Sequence, residues 1–462
     1  MTALAEHVAR PLADLAGGGP VPAQSGPFWL ARARHDAARW IEVHGFPTKK
    51  HEDWRYLPLD PVLAEAFEVG GSEPAPAAAA WAKETVERCS IGRLGSRLVF
   101  LNGRFVPHLS RITALPHGVV VSNLGPALTA EAAHARAATL RRAREPRHAF
   151  AALNIALAAD GALVEVPAGV VLDEAIELVY LTDPAGRALL TSPRSLLYFG
   201  KESQATIVET HCGAAGARYC TNAVTHVLLD AGAAVEHYRL QDESDHAFHF
   251  SSLDVRQAAG SHFRSHLVAL GAEIARHEVE VLLGGEGAAL DLGALYLPQG
   301  TQHHDHPVLV EHAAPGCTSR QRYVGIVDDC AHGVFNGHVI VRPGAAGTDA
   351  SQSNKNLLLS ERAEVDTRPR LEIFTDDVAC AHGAAVGRLD ADALFYLRSR
   401  GVPEPRARGI LVRGFAAQAL ECLTLAPLRA RAEGLIAGRL GLENDAVPVP
   451  VLGGSPVPGA RR

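Results

Sequence analysis

The sequence lacks the features of a membrane-embedded, secreted or nucleic-acid-binding protein. No apolar run approaches the roughly 18 to 20 residues that a membrane-spanning helix needs. Residues 1–20 contain neither a continuous apolar core nor a cleavage site, so they do not form a secretory signal. The net charge is only −7 and no long basic patch is present, which argues against a nucleic acid as partner.

The cysteines lack the arrangement of a disulfide framework. There are seven of them, an odd number, scattered along the chain at positions 89, 212, 220, 317, 330, 380 and 422. Such a set predicts no disulfide framework and favours a reducing compartment. Together with the missing secretory signal, it predicts a cytoplasmic protein.

The motifs of nucleotide-binding and hydrolytic enzymes are also missing. A phosphate-binding loop ends in Gly-Lys-Ser/Thr, whereas the only Gly-Lys pair here, Gly200-Lys201, is followed by Glu202. Neither a Gly-x-Gly-x-x-Gly turn after a strand nor a Gly-x-Ser-x-Gly elbow occurs. We therefore expect that the chain binds no nucleotide and does not itself hydrolyse ATP.

The 462-residue chain divides into four parts that differ in composition and in the spacing of their apolar residues. We predict a mixed, partly helical domain over 1–159, a β region over 160–388, a small helical domain over 389–443 and a disordered tail over 444–462. In the first part, apolar residues at helical spacing predict a helix over 29–41, and 71–80 resembles a linker. Further predictions there are a hairpin over 98–106 and helices over 130–144 and from Pro146 to about 159.

The second part contains short apolar clusters, about 13 to 18 residues apart, with Gly-, Asp- and Asn-containing turns between most of them. Short strands at such regular spacing indicate an all-β sandwich, barrel or solenoid. No segment of helical period interrupts them, so alternating strands and helices are disfavoured. A β-helix, whose coils stack and bury a continuous ladder of side chains, fits best, and a sandwich remains open on this evidence.

The third part is predicted to be helical. Asp390 can cap a helix that ends at Gly401. A second helix is expected over 404–423, with apolar residues on one stripe, and a third over 428–440.

Two residues at the end of the β region combine position and chemistry. In an extended segment side chains alternate in direction, so Cys380 and His382 point to the same side. A thiolate and an imidazole on one face form a soft, two-ligand half-site for a transition metal or an iron–sulfur cluster. Two ligands do not close a site, so the remaining ligands are expected from elsewhere.

Other polar clusters are given structural interpretations. The segment His303 to His306 admits a metal site, but a polar turn entering a strand at Val308 is favoured. The pairs Asp328-Asp329 and Asp376-Asp377 admit glycoside chemistry, yet adjacent strand residues point apart, so turns are favoured. The alternating amides Gln352, Asn354 and Asn356 are interpreted as a side-chain ladder inside a solenoid.

Several long motifs carry a resemblance to a known family. They are residues 50–56 (KHEDWRY), 319–323 (SRQRY), 334–337 (VFNG) and, above all, 350–401, including DDVACAHGAAVG and LFYLRSRG. These motifs resemble the SufB/SufD family of iron–sulfur cluster assembly proteins over most of the chain. Gly383 follows His382 where the SufB branch typically has Glu, and with the KHEDWRY segment this resembles the SufD branch.

The resemblance implies a right-handed parallel β-helix between helical terminal domains. It implies a non-catalytic scaffold subunit that pairs with SufB through the β-helix and binds the ATPase SufC through the C-terminal helices. His382 would lie at the SufB–SufD interface, where a transient iron–sulfur cluster forms, with Cys380 as a supporting ligand. Two alternatives remain at this point: a SufB-type scaffold that carries its own ligands, and a β-helix carbohydrate-active enzyme.

Overall fold

The computed structural model describes residues 10–11, 28–70, 75–92, 95–125 and 146–441. Within them, α-helices precede and follow a long run of strands. The helices are α1 (Phe28–His44), α2 (Asp60–Ala64), α3 (Pro76–Cys89), α4 (Ala149–Leu157), α5 (Ala391–Ser399), α6 (Glu404–Leu420) and α7 (Ala426–Arg439), with 3-10 turns at Glu52–Trp54 and Pro107–Leu109.

The strands form two sheets. The first sheet contains β1 (Arg10–Pro11), β2 (Ala66–Val69), β5 (Val120–Asn123), β6 (Ala162–Val166), β8 (Leu189–Thr191), β9 (Arg194–Phe199), β11 (Tyr219–Leu229), β13 (Phe248–Gln257), β15 (Ile274–Leu283), β17 (His303–His312), β19 (His332–Val341) and β21 (Glu364–Ile373). The second sheet contains β3 (Arg97–Leu101), β4 (Arg104–Phe105), β7 (Ile176–Thr182), β10 (Gln204–Gly213), β12 (Ala234–Asp242), β14 (His262–Ala269), β16 (Ala289–Tyr296), β18 (Thr318–Val327), β20 (Thr348–Leu358) and β22 (Val378–Arg388).

From β10 to β22 the chain alternates between the two sheets, so that each coil supplies one strand to each. Every strand from β10 to β20 pairs in parallel with the strand one coil before it and the strand one coil after it. Among the described residues, strands β21 and β22, which form the last coil, each pair only with the strand one coil before. Tight turns of the kind made by Gly232 and Gly260, both with positive φ, connect the strands. The molecule is therefore a parallel β-solenoid, as the spacing of the apolar clusters predicted, and the sandwich alternative is wrong.

The interior of the solenoid is filled by alternate residues of both sheets. An apolar cluster runs along its length, from Leu98 and Ile176 near the first coils to Tyr323 and Ala350 near the last. Because side chains alternate across a strand, the residues between them point outward. These outward residues form the platforms on which the helices pack.

Both outer faces of the solenoid are covered by helices. Helices α1 and α4 pack on the first sheet through a buried cluster that includes Ile41, Phe150 and Phe248. Helices α6 and α7 pack on the second sheet, where Val412 and Ile436 meet apolar residues of four or more strands. Helix α3 covers the start of the second sheet. The sheets are thus held from outside along most of their length.

The structure confirms some of the local predictions and contradicts others. The hairpin over 98–106 is confirmed by the antiparallel pair β3 and β4. The linker predicted over 71–80 is wrong from Pro76 onward, because Pro76 begins α3, where its fixed φ suits a first helical turn. Helix α4 begins three residues after Pro146, at Ala149, with the His148 side chain accepting from the Ala151 N–H. The predicted helix over 130–144 and the tail from 444 lie outside the described residues.

The expectation that the cysteines form no disulfide framework needs a correction. Cys89, the last residue of α3, and Cys212, on the outer side of β10, are paired in a disulfide. Both are buried in the cluster between α3 and the second sheet. They are 123 residues apart in the sequence, so their spacing carried no sign of the pairing.

Candidate functional site

Strand β22 lies at the edge of the second sheet and carries the two candidate ligands. It pairs with β20 on one side, and within the described residues no strand pairs with its other side. Most of its residues are exposed, in contrast to its partner β20, whose residues are mostly buried or half-buried. An edge strand presents unpaired backbone N–H and C=O groups and is a template for pairing with another chain.

The register of β22 against β20 defines where the candidate ligands point. Cys380 is opposite Ala350 and His382 is opposite Gln352, and both of these β20 residues are buried in the interior. Cys380 packs against the interior apolar cluster, whereas His382 is exposed. The two residues therefore lie on the interior-facing side of the last coil, about 7 Å apart along the strand.

The protonation of Cys380 bears on its use as a ligand. Burial raises the pKa of its thiol, the backbone N–H of Ala350 lowers it, and the charge of Asp349 raises it further. The net shift is upward, so the thiol is protonated at neutral pH. Because a metal binds the thiolate, Cys380 must release a proton as it becomes a ligand.

The ligand set on this strand is incomplete. Across the part of the chain that the structure describes, no group of three or more His, Cys, Asp or Glu side chains could hold a metal ion. Structural zinc sites and iron–sulfur clusters usually take four protein ligands. Cys380 and His382 could supply two of these, and further ligands would have to come from outside the described residues.

The segment His303 to His306 is neither a turn nor a metal site among the described residues. It opens strand β17, so the favoured interpretation as a turn is wrong. His304 shares a hydrogen bond with the Gly271 carbonyl at 3.0 Å, and His303 packs against His332 with ring centroids 4.6 Å apart. His306 belongs to the interior. Its ring packs against Tyr296, with ring centroids 4.3 Å apart. The segment is therefore the buried start of a strand.

The acidic pairs are turns, as predicted. Asp328 and Asp329 follow the end of β18, and Asp329 has a positive φ of 52°. Asp376 and Asp377 join β21 to β22. The predicted amide ladder is also present, since Asn356 donates to Asn354 at 2.6 Å and Asn354 donates to the Tyr296 hydroxyl at 3.1 Å.

A column of histidines inside the solenoid was not predicted from the sequence. This histidine column consists of His211, His249, His277 and His306 on four strands, with successive ring centroids 5.1, 4.9 and 5.4 Å apart. Burial lowers the pKa of each of the three whose shift is resolved, to about 3 for His211 and well below the ordinary value for His277 and His306. The imidazoles of His211, His277 and His306 are therefore neutral.

Two buried carboxylates lie beside the histidine column. Glu209 accepts a hydrogen bond from the Arg239 Nε at 3.0 Å, and Glu243 is 2.6 Å from the His249 Nδ1. The signal for this interior lay in polar residues at alternate strand positions, such as Glu209 and His211. Alternation alone does not distinguish an interior side from a solvent side, so the signal was missed.

The KHEDWRY segment proves to be a clamp between the N-terminal region and the first sheet. The Arg276 guanidinium lies 3.8 Å from the centre of the Trp54 ring, and Arg368 forms an ion pair with Glu52. Asn336 of the VFNG motif donates to Asp53 at 3.2 Å. These contacts join three separate motifs of the sequence and give them a structural role.

Comparison with known proteins identifies the class of the protein. The SufBD core domain of the SUF system for iron–sulfur cluster assembly matches residues 181–415, and the SufBD N-terminal region matches residues 23–178. The chain therefore belongs to the SufBD family of iron–sulfur cluster assembly proteins, as its motifs predicted.

Comparison with individual relatives indicates the branch of the family to which the chain is similar. The chain is 33% identical to the iron–sulfur cluster assembly protein SufD of Escherichia coli over 387 residues, which cover 82% of this chain and 86% of that protein. It is also 33% identical to a SufBD family protein of Synechocystis over 414 residues, 87% of this chain and 89% of that protein. Over the described residues, no helix has the length and apolar character needed to cross a membrane.

Proposed function

We propose that the chain is a scaffold subunit of a SUF assembly complex, which pairs with SufB, binds the ATPase SufC and has no catalytic activity of its own. A nascent iron–sulfur cluster forms at the SufB–SufD junction, where His382 is a ligand and Cys380 a supporting one. The observation that carries this proposal is the position of both residues on the unpaired edge strand β22. A second chain placed there extends the sheet and completes the ligand set.

The last coil has the surface that such a pairing requires. Ile373 and Phe374 at the end of β21 are 41% and 56% exposed, and Val386 on β22 is 47% exposed. Apolar side chains of this size beside open strand edges favour a protein partner over solvent. Backbone pairing along β22 would supply the direction of docking, and these side chains would supply apolar contact area.

Replacing Phe374 with aspartate is expected to weaken the association with SufB by about tenfold or more, because a charge would enter an apolar contact. The association is measured by the amount of SufB that co-purifies with the tagged chain. Val171→Asp is the matched control, since Val171 is 50% exposed and lies far from the last coil. Equal recovery of SufB with Phe374→Asp and with the wild type would contradict this interface.

The C-terminal helices offer a second apolar surface. Phe395 and Tyr396 on α5 are 72% and 57% exposed, and Ile410 on α6 is 38% exposed. Helix α5 has no buried residue, whereas α6 and α7 are anchored to the second sheet. A partner that binds here, proposed to be SufC, would therefore bind a presented helix without disturbing the solenoid core.

Phe395→Asp is expected to weaken the binding of SufC while the association with SufB is retained. Exposed aromatic residues are common anchors of protein interfaces, so loss of this one should lower the affinity by about tenfold or more. Val43→Asp on α1, where the valine is 70% exposed, serves as the control. If SufC still co-purifies in full with Phe395→Asp, then α5 is not its docking site.

The connection between the two surfaces is short, and this supports mechanical coupling between them. Strand β22 ends at Arg388 and α5 begins at Ala391, with Asp390 as its cap. A rotation of α5 by ATP-driven closure of two SufC subunits would therefore be transmitted to the strand that carries His382. The movement would open the SufB–SufD junction to iron and sulfide, which are the substrates, and later release the assembled cluster to an acceptor.

A further inference from the structure

The side chain of Gln352, behind the candidate site, has an unused hydrogen-bond acceptor. Gln352 is 3% exposed, and its Nε2 donates to the Gln321 Oε1 at 3.0 Å. Its own Oε1 is buried and has no partner among the described residues. A buried carbonyl oxygen without a donor is costly, so a donor that reached this oxygen would stabilise the site.

Three motifs of the sequence converge on this amide. Gln321 belongs to the SRQRY motif and Gln352 to the segment that begins at Ala350. Gly337 of the VFNG motif faces them from the first sheet, and a Cβ at this glycine would lie 2.1 Å from the Gln352 Nε2. Gly337 thus leaves the room that the Gln352 amide occupies, and the amide is enclosed from both sheets.

The residue in register with Gln352 on the next coil is His382 of β22. In-register residues of neighbouring strands are about 4.8 Å apart, so a glutamine amide and an imidazole on the same side can reach one another. A histidine that binds a metal commonly donates its other ring N–H to a carbonyl or carboxylate oxygen, which fixes the tautomer and the ring orientation.

We propose that Gln352 is a positioning residue for His382: its Oε1 accepts a hydrogen bond from one ring N–H of His382. The other ring nitrogen then keeps its lone pair and faces outward, toward the metal and the partner chain. A donor at His382 would select the orientation in which the Gln352 Nε2 donates to the Gln321 Oε1 and the Gln352 Oε1 is the free end of the amide. The inference rests on the proposed role of His382 as a cluster ligand.

Two variants at Gln352 separate positioning from a structural role. In Gln352→Glu a carboxylate oxygen can still accept from His382, and the free Nε2 of Gln321 can donate to the other oxygen. Gln352→Leu has a similar size but no acceptor. If Gln352 only filled the interior, leucine would be tolerated better than a buried charge. If Gln352 positions His382, glutamate at this position is tolerated better than leucine, because it keeps an acceptor for the His382 N–H.

The first readout is the tautomer of His382 in the full-length chain, observed by long-range proton–nitrogen NMR of histidine side chains and assigned by comparison with His382→Ala. We expect one tautomer in the wild type and in Gln352→Glu, and a mixture in Gln352→Leu. Asn354→Leu is the matched control, because this interior amide faces Ala384 instead of His382. A single unchanged tautomer in Gln352→Leu would overturn the proposal.

The second readout is the yield of iron–sulfur cluster in the assembled complex. Gln352→Leu is expected to lower it about tenfold, the usual range for loss of a partner that orients a metal ligand, and Gln352→Glu to restore most of it. A higher yield with leucine than with glutamate would overturn the proposal. The tautomer measurement requires no cluster, so the positioning role can be decided even if His382 proves not to be a ligand.

Discussion

Arg239→Met is expected to lower the free energy of unfolding by about 3 to 5 kcal/mol, because it leaves the Glu209 carboxylate buried without its cation. Burial raises the pKa of Glu209, but the attraction of Arg239 and a contact with His237 outweigh it, so the pKa lies below its ordinary value. Both side chains are almost fully buried inside the solenoid. Chemical denaturation of the purified chain at pH 7 measures the change.

The double variant Glu209→Gln, Arg239→Met tests the origin of this loss. With the charge at Glu209 removed, no unpaired carboxylate remains, and most of the stability should return. Thr225 still donates to residue 209 in this variant, since its hydroxyl already bonds the Glu209 Oε1 at 2.8 Å. A double variant that is no more stable than Arg239→Met would show that the arginine acts through packing.

Acidification from pH 7 to pH 5 is expected to destabilise the chain by several kcal/mol. Burial lowers the pKa of His211, His303 and His304 to about 3, and of His266 and His312 to about 4. In the unfolded chain these groups bind a proton near pH 6.5, whereas the folded chain excludes it. The stability that depends on these imidazoles being neutral is thus fully present above about pH 6.5. It is lost as the pH falls toward their pKa values in the folded chain.

Below about pH 4.5 the protonation of two carboxylates is expected to destabilise the folded chain further. Burial raises the pKa of Glu243, but its contacts with His249 lower it to about 2, and the pKa of Glu278 is likewise lowered to about 2 through His148. These contributions are present above the unfolded value near 4.5 and are lost below it. The chain should therefore lose stability continuously as the pH falls from 6.5.

The histidines can be tested one at a time by denaturation at pH 7, 6 and 5. His211→Gln is expected to reduce the slope of stability against pH by about 1.4 kcal/mol per pH unit, the contribution of one proton. His108→Gln replaces an exposed histidine and serves as the control. An unchanged slope in His211→Gln would mean that this imidazole is not kept neutral by the interior.

The solenoid could be predicted from the sequence because its period is local. Each coil repeats an apolar cluster and a turn, and this regular spacing can be recognised in a single sequence. The contacts of the KHEDWRY segment could not be predicted in the same way, since Glu52 and Arg368 are 316 residues apart. Helix α3 was missed because Pro76 and the alanines after it are as typical of a linker as of a helix start.

The part of the candidate site that depends on the alternation of side chains along a strand could be predicted from the sequence. That Cys380 and His382 share a side follows from the strand period alone, and their register with Ala350 and Gln352 confirms it. The sequence alone does not show which side of the strand faces the interior. That is determined by the closed coil, which needs both sheets. The role of Gln352 was hidden for this reason, because the sequence showed an amide ladder without showing what lies above it.

His382 is proposed to be a ligand of a cluster assembled between this chain and SufB. Anaerobic cluster reconstitution on the co-expressed complex of SufB, SufC and this chain tests this role, with the wild type compared with His382→Ala and assembly confirmed by mass. Since His382 is exposed and its removal should leave the solenoid intact, we expect an intact complex that has lost its iron–sulfur absorbance. Undiminished absorbance in an intact His382→Ala complex would contradict the claim and assign the ligands to SufB.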